Sequence, residues 1–329
     1  VKRTICLVAA GLAVAPLVVT TPAHAGGGPR PSIYQLTGDP VVGATGGSKF
    51  EGIGADGRRG TFYVSEVTGG EIHRGMVRKA QTQEWLGGDG TDGRFTARGI
   101  TVDKAGRVYI AGGPNGIAAD GTDNGRPDLW VYSPDGELLA ALRAPGENAF
   151  LNDVWIGPDG AAYFTNSNAP QIFRVAREQG EWNVELWADA SGTIDQLAGF
   201  NLGGIVLSPD RSAFVVAQGN VGRLWRFDVE DGSVTEVDTG GADLVGADGL
   251  VRQGSRLTVV RNFQRMVATL RLSADGSSAR LVEQRATDPS RVLTTAKVLR
   301  GRMFFVDSKF EENPVGLPPY EVVTDPFTF

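Results

Sequence analysis

The residues best suited to chemistry are Glu51, Asn152 and Asp248, each standing directly before an apolar, strand-like run. Two carboxylates and an amide carbonyl are hard oxygen donors, a set that holds calcium once water and a backbone carbonyl complete the shell. Magnesium demands stricter octahedral geometry, so donors drawn from distant segments favour calcium. Arg98 occupies the same place in its own run and opens a competing account. Its guanidinium either neutralises Glu51 or Asp248 without a metal, or holds an anionic substrate beside the cation. Asn and Asp before a turn also bond nearby backbone, so a local capping role for Asn152 and Asp248 stands beside the metal reading.

Other catalytic chemistries lack their residues. The only histidines are His24 and His73, and no G-x-S-x-G elbow accompanies either, which leaves no Ser-His-Asp triad and too few imidazoles for histidine-ligated zinc. The only cysteine, Cys6, lies in an apolar run that follows Lys2 and Arg3 and ends at Ala23-His24-Ala25. This pattern predicts a secretory leader over residues 1–25, cleaved to release a secreted, extracellular chain without thiols. The glycine-rich stretch 87–93 has neither the lysine of a phosphate loop nor the full acidic spacing of an EF-hand, and reads as an inter-strand loop.

The elements that position these residues show a repeat. A small polar or charged residue leads into a short apolar strand, then a turn, then a second strand of aromatic or branched residues. Six copies occur: 51–53 leading to 61–64, 98–102 to 108–110, 152–156 to 162–165, 203–207 to 213–216, 248–251 to 257–260, and 295–299 to 303–306. Turn formers separate the paired strands, as in Gly157-Pro158-Asp159-Gly160. With 46 Gly and 17 Pro in 329 residues, the chain has turns enough for many short strands. Starts 45 to 54 residues apart fit a four-stranded sheet with its turns.

The expected fold is therefore all-β: a six-bladed β-propeller with four-stranded antiparallel blades, forming a single domain over residues 26–329. The last unit is short of a strand after Val306, and the segment 32–37 is placed to supply its outer strand, joining the two ends. Trp130, Trp155 and Trp225 are expected to pack in the core. In this fold Glu51, Arg98, Asn152, Gly203, Asp248 and Thr295 would converge on one end of the central channel.

Glu51-Gly52, Asn152-Asp153 and Asp248-Gly249, each ahead of an apolar strand, resemble the metal-site motifs of the gluconolactonase and senescence-marker-protein family. That resemblance covers roughly residues 40 to 308. It implies a six-bladed propeller binding calcium or another divalent cation, with metal ligands Glu51, Asn152 and Asp248, and with Asp248 also acting as the catalytic group beside the substrate. The family usually has an asparagine where this chain has Gly203, with Asn201 two positions earlier as an imperfect replacement ligand. Phe150 stands where sugar-lactonase members resemble an arginine-bearing pattern, so an apolar or aromatic ligand suits the site better than a sugar lactone. Related propellers resembling strictosidine synthase keep the architecture without the metal.

The expected function is a metal-dependent hydrolase of a lactone or ester, with Arg98, Phe150 and Thr295 contacting a small-molecule substrate. The alternatives are a non-catalytic ligand-binding propeller and an enzyme of lyase or condensation type. A formal net charge of −6 argues against a nucleic-acid partner. After the leader no run is long and apolar enough to insert in a membrane. A monomer is expected.

Overall fold

Inner strands begin where the repeat predicts, and each is followed by its antiparallel partner within a few residues. The computed structural model describes Val1 and residues 30–42, 45–312 and 316–327; the leader lies outside these residues, Val1 apart. Pro31–Phe329 form one compact unit, all-β, with no helix among the described residues.

Four antiparallel sheets of four strands start from Ile100–Val102, Leu151–Ile156, Leu202–Leu207 and Ala247–Gln253. An eight-stranded sheet contains the first and last repeats. Its order runs Leu293–Leu299, Arg302–Asp307, Tyr320–Val323, Ile33–Leu36, Lys79–Leu86, Ile72–Met76, Thr61–Glu66, Phe50–Asp56. The early strand pairs antiparallel with Tyr320–Val323 from Ile33↔Val323 to Leu36↔Tyr320, which is the closure of the two ends that the sequence suggested. Its parallel pairing to Lys79–Leu86 is confined to Gln35↔Gln81. The six repeat-opening strands pack side by side in cyclic order, Leu293–Leu299 returning onto Phe50–Asp56, so the arrangement of sheets is propeller-like.

Burial follows this geometry. Inner strands such as Leu202–Leu207 are buried along their whole length, whereas outer strands such as Glu181–Asp189 are largely exposed. Apolar side chains from adjacent sheets fill the space between them; Tyr163, Phe214 and Phe227, for example, share one such cluster. At the seam between chain ends, Tyr34, Phe62 and Phe304 stack mutually at 5.1–5.3 Å between centroids. Trp130 and Trp225 are core residues, as expected. Trp155 packs against two of the core clusters while staying half-buried, and its ring lies 4.7 Å from Lys297 Nζ.

The feature that positions the site is a β-bulge at the start of the inner strands. Register shifts fall between Phe50/Ile53, Leu151/Val154, Leu202/Ile205, Ala247/Leu250 and Leu293/Ala296, so two residues oppose one. In the second repeat Arg98 and Gly99 both hydrogen-bond Ala111 at 2.8 Å. Bulges bend a strand and re-aim its side chains. The first bulged residue is Glu51, Arg98, Asn152, Gly203 or Asp248. In the sixth repeat the register puts Thr294, not Thr295, level with them: the bulge is the same as in the others, and the repeat opens one residue earlier than its apolar pattern suggested.

The second bulged residue is Gly52, Gly99, Gly204 or Gly249, and the reason is steric. A Cβ on Gly52 would collide with the Arg98 carbonyl, one on Gly99 with the Asn152 carbonyl, and one on Gly204 with the Asp248 carbonyl. In these four repeats the neighbouring strand comes too close for a side chain, whereas the other two carry Asp153 and Thr295 at this position. Gly52→Ala is expected to cost about 1–3 kcal/mol through forced displacement of the neighbouring strand. Gly57→Ala, at a turn where an added Cβ meets nothing within 4 Å, is expected to stay within about 0.5 kcal/mol of the parent. Urea melts of both variants check this; indistinguishable midpoints would show that the close approach carries no constraint.

Candidate site at the channel mouth

Glu51, Arg98, Asn152 and Asp248, drawn from four repeats, line one cavity of about 500 Å³. A second space of about 10 Å³, room for roughly one water, adjoins it and is lined by Glu51, Asn152, Asp153, Asp248 and Thr295. The bulges therefore bring together the three residues singled out for oxygen chemistry. Arg98 Nη1 donates to Glu51 Oε2 in an ion pair, and its guanidinium lies 4.7 Å from the Phe150 ring centroid. Asn262 Nδ2 donates to Asp248 Oδ2 at 3.1 Å. The side-chain amide of Asn152 makes no hydrogen bond among the described residues, leaving its oxygen unspent.

Three carboxyls line the small space, and their protonation reflects it. Burial and the charge of Glu51 hold Asp248 well above the usual carboxylate range, against a smaller opposing effect of the Asn262 hydrogen bond. Burial also pushes Glu51 up, while the charge and hydrogen bond of Arg98 oppose it. Asp153 is raised by burial and held back by the charge of Lys297; it accepts from Val154 N–H at 2.8 Å and Ile205 N–H at 3.4 Å. Asp153 takes the place that glycine holds in four repeats, the one sequence signal that marked it.

The remaining expected site residues divide. Asn201 borders the cavity, but its side chain is consumed by hydrogen bonds within its own loop and to the loop that carries Gln218 and Asn220. Its Oδ1 accepts from Leu197 N–H at 3.0 Å and from Gln218 and Asn220 at 3.1 Å, and its Nδ2 donates to the Leu197 and Gly199 carbonyls. It therefore does not stand in for a ligand at position 203, because no lone pair is aimed at the cation donors. Phe150 lies behind Arg98, 5.5 Å from Phe200, and does not line the cavity. Thr295 lines only the small space, since its register place is that of a glycine.

Sequence reasoning assigned no role to Phe200, Phe263 and Phe310, which form an aromatic rim with Val67 and Val245. Phe200 is 61% exposed and Phe263 52%. Their only signal was bulky apolar residues inside loops. His73 is buried, 3.1 Å from Glu66 Oε2 and edge-on to Phe50, the packing role its strand position suggested.

Among the described residues no cluster of three or more His, Cys, Asp or Glu side chains has metal-holding geometry. The donor set is instead two carboxylates and an amide. A Cβ built at Gly203 would lie 3.8 Å from Asp248 Oδ1 and 3.9 Å from Asn152 Oδ1, so these oxygens converge on the space in front of Gly203. With Glu51 on the same cavity, the residues fit a hard cation of oxygen-donor preference. Arg98 already holds one oxygen of Glu51, and a cation there competes with it.

The raised Asp248 gives a stability test. A carboxyl whose folded pKa is raised is fully tolerated below its unfolded pKa and costs stability as pH climbs through the folded value. In chelator, Asp248→Asn is expected to melt higher than the parent at pH 8, with the gap closing towards pH 4. Thermal melts across that range check it, and a gap that widens in acid would contradict the assignment.

No protein-family profile matches the chain, and comparison with curated proteins gives no significant match. Solved structures do resemble it. A gluconolactonase from Xanthomonas campestris is 16% identical, covering 91% of this chain and 99% of that one, with a TM-score of 0.60. Regucalcin from Agrobacterium tumefaciens, a calcium-binding protein, is 16% identical over 89% and 95% of the two chains, at 0.58. Virginiamycin B lyase from Staphylococcus aureus, solved with quinupristin, is 13% identical over 88% and 97%, at 0.54. At such identities the likeness is one of fold, and the propeller proteins that the sequence motifs resembled are among these structural neighbours.

Proposed function

We propose that the chain is a six-bladed β-propeller, its eight-stranded sheet counting as two blades, and an exported, monomeric, divalent-cation-dependent hydrolase of a lactone or ester. The observation that carries this reading is the convergence of Glu51, Asn152 and Asp248 on one cavity, with an unspent amide oxygen and a carboxyl of raised pKa. Glu51, Asn152 and Asp248 would hold calcium or a similar cation. Such an ion supplies Lewis-acid polarisation of a carbonyl.

The chain's own groups do the rest. Asp248 is the base: a carboxyl raised towards neutrality takes a proton from water more effectively than an ordinary one. Its Asn262 hydrogen bond fixes the carboxyl plane and leaves Oδ1 facing the cavity. Arg98 presents positive charge at the cavity wall, where it attracts an acyl oxygen that gains charge. Phe200, Phe263 and Phe310 exclude water and favour an apolar or aromatic body over a sugar.

The Arg98–Glu51 ion pair favours a second reading, in which the guanidinium serves in place of a metal and the propeller binds its ligand without hydrolysing it, or acts as a lyase. The two separate experimentally. Calcium at 100 times its dissociation constant is expected to stabilise the parent by about 2.7 kcal/mol, and this gain should vanish in Glu51→Gln. Turnover of aryl esters or aromatic lactones should fall roughly 100-fold in Asp248→Asn. The rate should fall as pH drops and Asp248 takes its proton. Absence of stabilisation by any divalent ion rejects the metal, and saturable binding without turnover rejects the hydrolase.

A further inference from the structure

The inner strands that open on the first cavity end at another. A space of about 560 Å³ is lined by the far ends of the same strands, among them Ala55, Val102, Ile156, Leu207, Val251 and Val298. It is as large as the first and has the opposite charge character. Lys104, Arg107, Arg211, Arg252 and Lys297 border it against one acid, Asp103, on a chain whose net charge is −6.

That acid is already spent. Asp103 Oδ2 accepts from Arg107 Nε at 2.6 Å and Tyr109 OH at 3.2 Å, and its Oδ1 accepts from the N–H groups of Ala105 and Arg107. Four cations remain. Lys104 and Arg211 have no side-chain hydrogen bond or ion pair among the described residues. Arg252 donates one Nη1 bond to the Gly254 carbonyl at 2.8 Å, while its Nε is buried without a partner.

Lys297 is the strongest signal. It interrupts an apolar inner strand, is only 8% exposed, and its Nζ is buried without a hydrogen-bond partner, 4.7 Å from the Trp155 ring centroid. A buried ammonium normally finds an anion or an acceptor. Asp153, on the side of the first site, is the carboxylate whose charge acts on it. Arg211 also acts on Arg252 as a like charge, which lowers the Arg252 pKa after burial has done so. Such a gathering is relieved by an anion that bridges it.

We propose that this opposite mouth binds a small molecule carrying a phosphate or sulfate group on an apolar or aromatic body. Arg211, Arg252 and Lys297 hold the oxyanion, and the body lies on Trp155, Leu207 and Val298. Two arginines offer planar forks suited to oxyanions, and the lysine adds a charge at depth. The apolar strand ends supply the wall that free phosphate would not need.

Calorimetry and tryptophan fluorescence on the full chain, with phenyl phosphate, phenyl sulfate, inorganic phosphate and inorganic sulfate as probes, test this. Saturable binding of one phenyl ester per chain is expected, with its fluorescence change lost in Trp155→Phe. The dissociation constant should weaken at least about tenfold in Arg211→Ala, in Arg252→Ala and in Lys297→Met. Phe263→Ala, at the other mouth, should leave it unchanged. Arg211 is exposed, so its truncation tests the site even if replacing the buried lysine disturbs folding. The proposal is overturned if no probe saturates, or if Arg211→Ala and Arg252→Ala bind like the parent. Equal affinity for phenyl phosphate and inorganic phosphate overturns the role of the apolar wall, and the ratio of phosphate to sulfate ester affinity identifies the oxyanion.

Discussion

The structure depends on how closely successive inner strands approach one another around a common axis. Where a glycine of one bulge meets the carbonyl of the next strand, no side chain fits. The residue before each glycine is turned by the same bulge, and at Glu51, Arg98, Asn152 and Asp248 the turned side chains meet in a shared cavity. Steric closure and chemical convergence thus have one cause. Hydrogen bonds between neighbouring strands reinforce it: Thr294 Oγ1 donates to the Glu51 carbonyl at 2.8 Å, and Thr165 Oγ1 to the Gly203 carbonyl at 2.8 Å.

Closeness has an electrostatic consequence. Glu51 and Asp153 are buried and Asp248 is half-buried beside them, and three full negative charges lining one small space would repel strongly. The molecule compensates each differently. Glu51 has an arginine, Asp153 has the field of Lys297, and Asp248 is displaced towards its neutral form. The one carboxyl without a cation of its own is therefore the one held well above the usual carboxylate range. Arg98 in turn rests on Phe150, which touches the exposed Phe200, so the charged wall of the cavity is mechanically joined to its apolar rim.

Much of the architecture was legible because strand pairing and turn chemistry are local. The repeats gave the inner hairpins, and the missing strand of the last unit pointed to the segment 32–37, which pairs there. The convergence of Glu51, Asn152 and Asp248 was legible for the same reason, as equivalent places in a repeat occupy equivalent places around an axis. What failed depended on single-residue register and on distant partners. Thr295 was matched to Glu51 because Thr294 and Thr295 are alike in type and only the pairing register tells which of them stands level with Glu51. Asn201 looked available because its hydrogen bonds to Gln218 and Asn220 cross from one loop to another. Trp155 packs against two core clusters as expected, but the ammonium that also borders it comes from a distant repeat. Lys297 drew no attention in the sequence, because nothing in its neighbours tells which end of the channel it faces.

The seam between the chain ends gives the molecule a characteristic order of assembly. Gln35 Nε2 donates to Glu321 Oε1 at 3.0 Å across 286 residues of sequence, and the pairing around it joins segments equally far apart. Contacts of such separation carry a large loop-closure entropy and form slowly. The intervening sheets, whose pairings are nearly all between sequence neighbours, can assemble first as an open arc. Fastening the seam is then the late step that makes the ring. It acts as a latch: Tyr34 packs against both Phe62 and Phe304, so the strand from one chain end ties the first repeat to the last.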